Sequence, residues 1–202
     1  MNNPEVLIVH HTASGGNKKQ FDAVNRYHKD KWNRMVLVDD WWTPIYSANG
    51  IQNRPVRYMN EEEAKTLGTL SSLGYYAGYT HFIEKDGTII QARSQTDIGA
   101  HTIGWNDRSF AVCLAGNFEY EHPTTKQIKA YQELKKEIGL PVDLHRNKQA
   151  NRSCPGRNID FSVLDRQLDT EDMTKEEKLA FYATKFPSLK AFIYRIMGWP
   201  LA

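Results

Sequence analysis

Glu5-Val6-Leu7-Ile8-Val9-His10-His11-Thr12-Ala13-Ser14 sets an unbroken aliphatic run directly before two histidines. A run this short and this apolar reads as a strand over 5–10 buried on both faces, as in the middle of a sheet covered by helices. His10 then arrives at the carboxyl end of that strand, where α/β sheets form their sites. Far downstream, Leu144-His145-Arg146-Asn147-Lys148-Gln149-Ala150-Asn151-Arg152-Ser153-Cys154-Pro155-Gly156 places a second histidine at the end of a short strand expected over 142–145. The same segment carries a cysteine in a polar loop. Two imidazoles and a thiolate suit Zn²⁺, and three protein ligands leave a fourth position for water, as catalytic zinc sites do. Zinc brings the pKa of such a water to about 7.

The elements between these ends alternate in the manner of an α/β chain. Residues 18–32 read as a helix with Phe21, Val24, Tyr27 and His28 on one side. Residues 33–74, with Trp41, Trp42, Pro44 and Pro55, are the least regular stretch, apart from a helix start at Asn60 before Glu61-Glu62-Glu63. A strand is expected over 79–84, a hairpin turn at Asp86-Gly87 and a return strand over 88–92. Another strand covers 109–115. Thr124 with Gln127 forms a capping box for a helix to Ile138, stopped by Gly139. The expected fold is α/β, a mixed central sheet flanked by helices, over residues 1–160. A helical extension follows over 161–202, opening at Thr174 and broken by Pro187.

The chain has 202 residues, 40% hydrophobic and 25% charged, which suits an ordinary folded domain. A net charge of +2 gives no support for nucleic-acid binding, which needs a strong basic patch. Two cysteines, Cys113 and Cys154, make no disulfide framework. Cys113 sits in the apolar run of a strand and reads as a small hydrophobe. Neither a secretory signal nor a transmembrane run of 18 apolar residues is expected.

Four strings, HHTAS at 10–14, GYTHFIEKDGTIIQAR at 78–93, IGAHTIGWNDRSFAVCLAGNFE at 98–119 and LHRNKQANRSCPG at 144–156, occur in this order. Together they resemble the zinc-dependent N-acetylmuramoyl-L-alanine amidases of the phage T7 lysozyme and peptidoglycan recognition protein superfamily, over roughly residues 5–160. The resemblance implies one Zn²⁺ on His10, His145 and Cys154. It implies peptidoglycan as substrate and hydrolysis of the amide between N-acetylmuramic acid and L-alanine. It also implies a phage-type endolysin, monomeric, made in the cytoplasm and reaching the wall through holin-type pores. Tyr79 falls on the family's Gly-Tyr, whose hydroxyl lies by the metal. With Tyr79, His81 and Ile83 on one strand face, Glu84 lies on the other and is a poor general base. His101, Trp105 and Asn106 match the family's Ala-His-x-x-Gly-x-Asn string at the substrate cleft.

Departures from the family pattern leave alternatives open. Arg152 stands where T7-type amidases carry lysine two residues before the cysteine ligand. Arginine keeps the charge and can stabilise an oxyanion, but does not readily give up a proton. His11 is a packed or supporting histidine. His101 is either a substrate contact or a buried histidine. The segment over 33–74 is an insertion in which Trp41 and Trp42 either contact sugar or cap the core. The 161–202 extension either packs on the core or binds wall, membrane or a partner. Rival functions are a non-catalytic peptidoglycan-binding module, whose known members lose the cysteine ligand that is present here, and a regulatory role against RNA polymerase, as in T7 lysozyme.

Overall fold

β1 (Val6–His11) is buried along its whole length, as a strand covered on both faces requires. The computed structural model describes residues 2–16, 18–38, 40–45 and 54–166, together with Lys175 and Leu179. After β1 come α1 (Phe21–Trp32), β2 (Arg34–Val38), β3 (Trp41–Pro44), β4 (Val56–Tyr58) and α2 (Glu61–Thr66). The chain continues through β5 (His81–Ile83), β6 (Ile89–Gln91), β7 (Ser109–Leu114), α3 (Thr125–Ile138), β8 (Val142–Leu144), α4 (His145–Lys148) and α5 (Phe161–Leu164). Five strands form one mixed sheet in the order β6-β5-β7-β1-β8. β1 lies parallel between β7 and β8, and β5 runs parallel to β7 and antiparallel to β6. This is the mixed α/β sheet expected from the sequence. These elements belong to the first of two compact units, Met1–Asp165, with Arg166–Ala202 forming the second. Lys175 and Leu179 are helical, and the rest of the helices expected from Thr174 onward lies outside the described residues. Among the described residues no helix is long and apolar enough to cross a membrane.

Helices cover both faces of the sheet. On one side α1 packs through Phe21, whose ring meets Phe82 at 5.5 Å. On the other, Gln127 of α3 is fully buried and donates to the carbonyls of Ile83 and Ala115. Thr124 and Gln127 form both halves of the capping box, and Gly139 takes the left-handed conformation (φ 69°) that ends the helix.

Three local expectations need correction. Tyr27 is exposed rather than grouped with Phe21 and His28. At 100° per residue, a position six along from Phe21 has turned well off the buried stripe. Residues 33–74 are more regular than their composition suggests. β3-β2-β4 form a second, antiparallel sheet, and α2 packs under it through Met35, Met59, Ala64 and Leu70. Asn60 and Glu63 complete a capping box for α2 as expected. Finally, the strand expected from Tyr79 starts only at His81, because Gly78–Thr80 bend. Two-residue alternation therefore does not reach back to Tyr79, which packs with Phe21 and Phe82 on the α1 side.

Arg93 is an organising residue that sequence patterning gives no reason to select. Its guanidinium is almost wholly buried and donates to four carbonyls, those of Ala77 (2.8 Å), Gly68 (3.0 Å), Ile98 (3.0 Å) and Thr69 (3.2 Å). Burial lowers its pKa to about 10, which leaves it charged at neutral pH. One side chain thus ties the end of the inserted segment to the loops before β5 and before β7.

Candidate metal centre

Parallel pairing of β1 with β7 and β8 brings the carboxyl ends of these strands side by side. His10, one residue from the end of β1, and His145, directly after β8, therefore face each other, with ring centroids 4.4 Å apart. The last strand stops at Leu144, so His145 opens α4 rather than closing β8. Cys154 returns on the following loop, with its Sγ 3.7 Å from His10 Nδ1. One ligand atom from each of the three residues lies within 4.8 Å of the others. Arg146 holds that loop in place. Its amide donates to the Cys154 carbonyl and its guanidinium to the carbonyls of Gly156 and Ile159.

The donor set fits zinc. Both histidines use Nε2 for a fixing contact: His10 Nε2 with Thr102 Oγ1 at 3.3 Å, and His145 Nε2 with Gln149 Oε1 at 2.9 Å. That leaves each Nδ1 toward the centre, and His145 Nδ1 is buried with no hydrogen-bond partner. A buried polar atom without a partner is costly unless something binds it. Burial, then the neighbouring His101 and His145, holds His10 well below the usual imidazole range, and burial also lowers His145. Both are neutral, as metal ligands must be. Burial pushes the Cys154 thiol up to about 11, so a cation must displace its proton for it to ligate.

Thr102 and Gln149 were not singled out in the sequence, although Gln149 stands four residues after His145, one helical turn on. Partners that fix the ring of a ligand histidine set its tautomer. Thr102→Val and Gln149→Leu are each expected to weaken zinc affinity about 10- to 100-fold without unfolding the protein. A competitive chelator titration checks this.

The structure brings Tyr79 to the cluster, its ring 5.2 Å from that of His10. Burial, then the nearby thiols of Cys113 and Cys154, raises its hydroxyl well above 10, so it stands as a proton donor. Its backbone is tightly held. The Gly78 amide donates to His28 Nδ1 at 2.9 Å, and the His28 ring lies 5.4 Å from Tyr79. A Cβ on Gly78 would run into the Ala100 carbonyl. Burial lowers His28 to about 3. The unfolded chain, with the ordinary value near 6.5, takes up that proton first as pH falls. His28 therefore contributes stability fully above pH about 6.5, and loses it progressively toward pH about 3. In chelator, thermal stability should fall through this window by about 1.4 kcal/mol per pH unit for this histidine. His28→Gln should flatten the slope.

Arg152 is exposed, and its positive field lowers the Cys154 pKa and disfavours protonation of His145. His101 meets the His10 ring edge-on at 5.2 Å, and its Nδ1 contacts Thr102 Oγ1 at 3.0 Å. Burial lowers it to about 3, and it is neutral. Trp105 lies under two cations, Arg108 at 3.9 Å and Lys148 at 4.0 Å from its ring centre, which compete with any sugar for its faces. Asn106 Oδ1 accepts the amides of His101 and Thr102, both at 2.8 Å, so it shapes the loop that carries them. His11 points away from the cluster, where its Nδ1 accepts the Phe118 amide. Glu84 accepts the amides of Gln20 and Phe21 at the start of α1 and is not free to act as a base.

Residues 1–157 match the family model described as N-acetylmuramoyl-L-alanine amidase. The endolysin of Enterobacteria phage K11 is 30% identical over 104 residues, 47% of this chain and 69% of that protein. Peptidoglycan-recognition protein SC2 of Drosophila melanogaster is 31% identical over 98 residues, 45% of this chain and 53% of that protein. The chain thus spans about half the length of several curated relatives it matches. In fold it is similar to the amidase LysC from Clostridium intestinale URNW, with a TM-score of 0.52 at 22% identity, covering 81% of this chain and 83% of that one. It is also similar to bumblebee PGRP-SA, at 0.52 and 21%, covering 82% and 83%. With a match that spans His10, His145, Cys154 and the whole central sheet, the chain belongs to the type 2 N-acetylmuramoyl-L-alanine amidase family.

Proposed function

We propose that the protein is a zinc hydrolase that cleaves the amide between N-acetylmuramic acid and L-alanine in peptidoglycan. The observation that carries this is the His10–His145–Cys154 cluster, in which His145 Nδ1 is buried without a hydrogen-bond partner. Zinc held there by these three residues supplies Lewis acidity toward water and the scissile carbonyl.

The surrounding side chains supply the rest. Tyr79, protonated at working pH, donates a hydrogen bond to the oxygen that becomes negative and helps deliver a proton to the leaving amine. Arg152 adds positive field at the same edge and transfers no proton. Neutral His101, held by Thr102, offers a hydrogen bond to peptide or lactyl oxygens. Water adds its hydroxyl to the lactyl carbonyl carbon, the C–N bond breaks, and the L-alanine nitrogen leaves with the proton. The products are a glycan strand bearing free lactyl carboxylates on its muramic acid residues and stem peptides with a free L-alanine amine. A monomer acting on the wall after release, in the manner of an endolysin, fits this chemistry.

Tyr79→Phe is expected to lower kcat by about 100-fold with zinc content unchanged, since proton delivery contributes factors of this size. Arg152→Ala should cost less, because the charge is solvated. Purified peptidoglycan incubated with the zinc-loaded protein, followed by mass spectrometry of the soluble fraction, tests the reaction. Stem peptides with a free L-alanine amine support it. Intact wall together with muropeptide binding would instead favour a recognition module, the second reading that the peptidoglycan-recognition relatives keep open.

A further inference from the structure

Thr102 serves two histidines at once. Besides meeting His10 Nε2, its hydroxyl contacts His101 Nδ1 at 3.0 Å. His101 Nε2 faces Ser109 Oγ at 3.5 Å, and the Ser109 hydroxyl donates to the Trp105 carbonyl. With Cys154 Sγ set against His10 Nδ1, these contacts form one unbroken chain from the candidate thiol ligand to a backbone carbonyl. His10, Thr102 and Ser109 are each almost wholly buried, which keeps bulk water from competing for their hydrogen bonds.

The far end of this chain dictates where its hydrogens lie. A carbonyl only accepts, so the single hydrogen of the Ser109 hydroxyl is committed to Trp105. Ser109 Oγ then accepts from His101, whose Nε2 must carry a hydrogen. Burial lowers His101 to about 3, and the Ser109 carbonyl works against that shift, as an acceptor facing the ring does. A neutral imidazole holds one hydrogen, so His101 Nδ1 is bare and accepts from Thr102. That commits the one hydrogen of Thr102, whose oxygen accepts in turn from His10 Nε2. His10 is neutral as well, so its Nδ1 is bare, and this is the nitrogen that faces Cys154 Sγ. Reversing any one contact would set two donors, or two bare acceptors, against each other.

We propose that Ser109 is a positioning residue for the metal centre, an inference that rests on the zinc reading of the site. It anchors the chain at the Trp105 carbonyl and so presets His10 in the tautomer that ligates through Nδ1, before any ion arrives. Ser109 does this from a distance. It opens β7 opposite Val6, four residues before Cys113, the partner of His10. At roughly 3.3 Å per residue, that is about 13 Å along the strand. The loop before β7 is shaped to span the gap. Asn106 holds the amides of His101 and Thr102, and a Cβ on Gly99 would run into the His101 ring at Cδ2 and Nε2. His145 needs no such chain, because Gln149 Oε1, an acceptor, meets its Nε2 directly. The same polarity fixes what His101 offers a substrate. An oxygen acceptor can take the Nε2 hydrogen in place of Ser109 without reversing the chain, whereas a donor cannot.

Long-range ¹H–¹⁵N spectra of the full-length, metal-free protein read which nitrogen of each ring carries the hydrogen, and a chelator competition gives the zinc Kd. In wild type His10 and His101 should both carry it on Nε2. Ser109→Ala should return both rings to a mixture of tautomers and raise the zinc Kd about five-fold, the factor that one net buried hydrogen bond carries. Ser109→Thr, which keeps the hydroxyl, should restore both readouts. Thr102→Val should leave His101 on Nε2, since Ser109 still holds it, while freeing His10. A packing defect would not separate the two rings in this way. A wild-type His101 with its hydrogen on Nδ1, or a Ser109→Ala protein with tautomers or Kd unchanged, would overturn the role of Ser109. If His101 carries its hydrogen on Nδ1 and zinc still binds, the chain fails and the zinc site stands. If both tautomers are as assigned and zinc does not bind, the zinc site fails and the chain stands.

Discussion

Cys154→Ser is expected to remove stoichiometric zinc and abolish hydrolysis while leaving the fold intact. Serine nearly matches cysteine in size, and the loop that carries it is fixed by Arg146 through backbone contacts that the substitution does not touch. What changes is the donor. A thiol yields its proton to zinc and becomes a thiolate, whereas a serine hydroxyl stays neutral. His10 and His145 alone then hold the ion. The loss of affinity should exceed the roughly 10- to 100-fold expected when a residue that only orients a ligand is removed. Metal analysis after dialysis, circular dichroism and release of stem peptides from wall read the three parts separately. Zinc retained at one equivalent in the variant would mean that the third ligand is not Cys154.

Arg93→Met is expected to have the largest effect on stability. Its aliphatic stem is replaced, but the Ala77, Gly68, Ile98 and Thr69 carbonyls lose their buried donor together. Each unsatisfied buried group costs about 1–3 kcal/mol. Even if water reaches most of them, a net loss of about 3 kcal/mol is a large share of the roughly 5–15 kcal/mol that holds a domain folded. Melting should fall by about 6–12 °C at this chain length. The effect should extend to the site, because the carbonyls of Ala77 and Ile98 flank the segments carrying Tyr79 and His101. A melting temperature within a degree or two of wild type would show that these loops do not depend on Arg93.

The parts of this structure that were legible in the sequence are those in which one local rule dominates. The aliphatic run before His10 could only be a covered strand. Thr124 with Gln127, and Asn60 with Glu63, announced helix starts by pairing a cap with its return partner. The three candidate ligands stood out by chemistry, at two strand ends and a polar loop, and the fold brings them together. What stayed hidden depends on contacts distant in sequence. β2, β3 and β4 are three to five residues long, two bordered by proline, and gain regularity only by pairing with one another. Tyr79 left the expected face because a bend precedes β5, and nothing within a strand-length window signals that bend. Thr102 fixes a ring 92 positions away. Arg93 reads as one more charged residue until four carbonyls converge on it. Trp105 and Asn106 matched a motif, yet in the structure the first is covered by cations and the second holds its own loop.

Zinc titration into chelator-stripped protein, with release of stem peptide followed at each addition, tests the central claim most directly. Activity should be absent without metal, rise in proportion to added zinc, and level off at one equivalent, with Cys154→Ser flat throughout. Full hydrolysis by the metal-free protein, or none with one equivalent bound, would contradict a zinc hydrolase built on His10, His145 and Cys154.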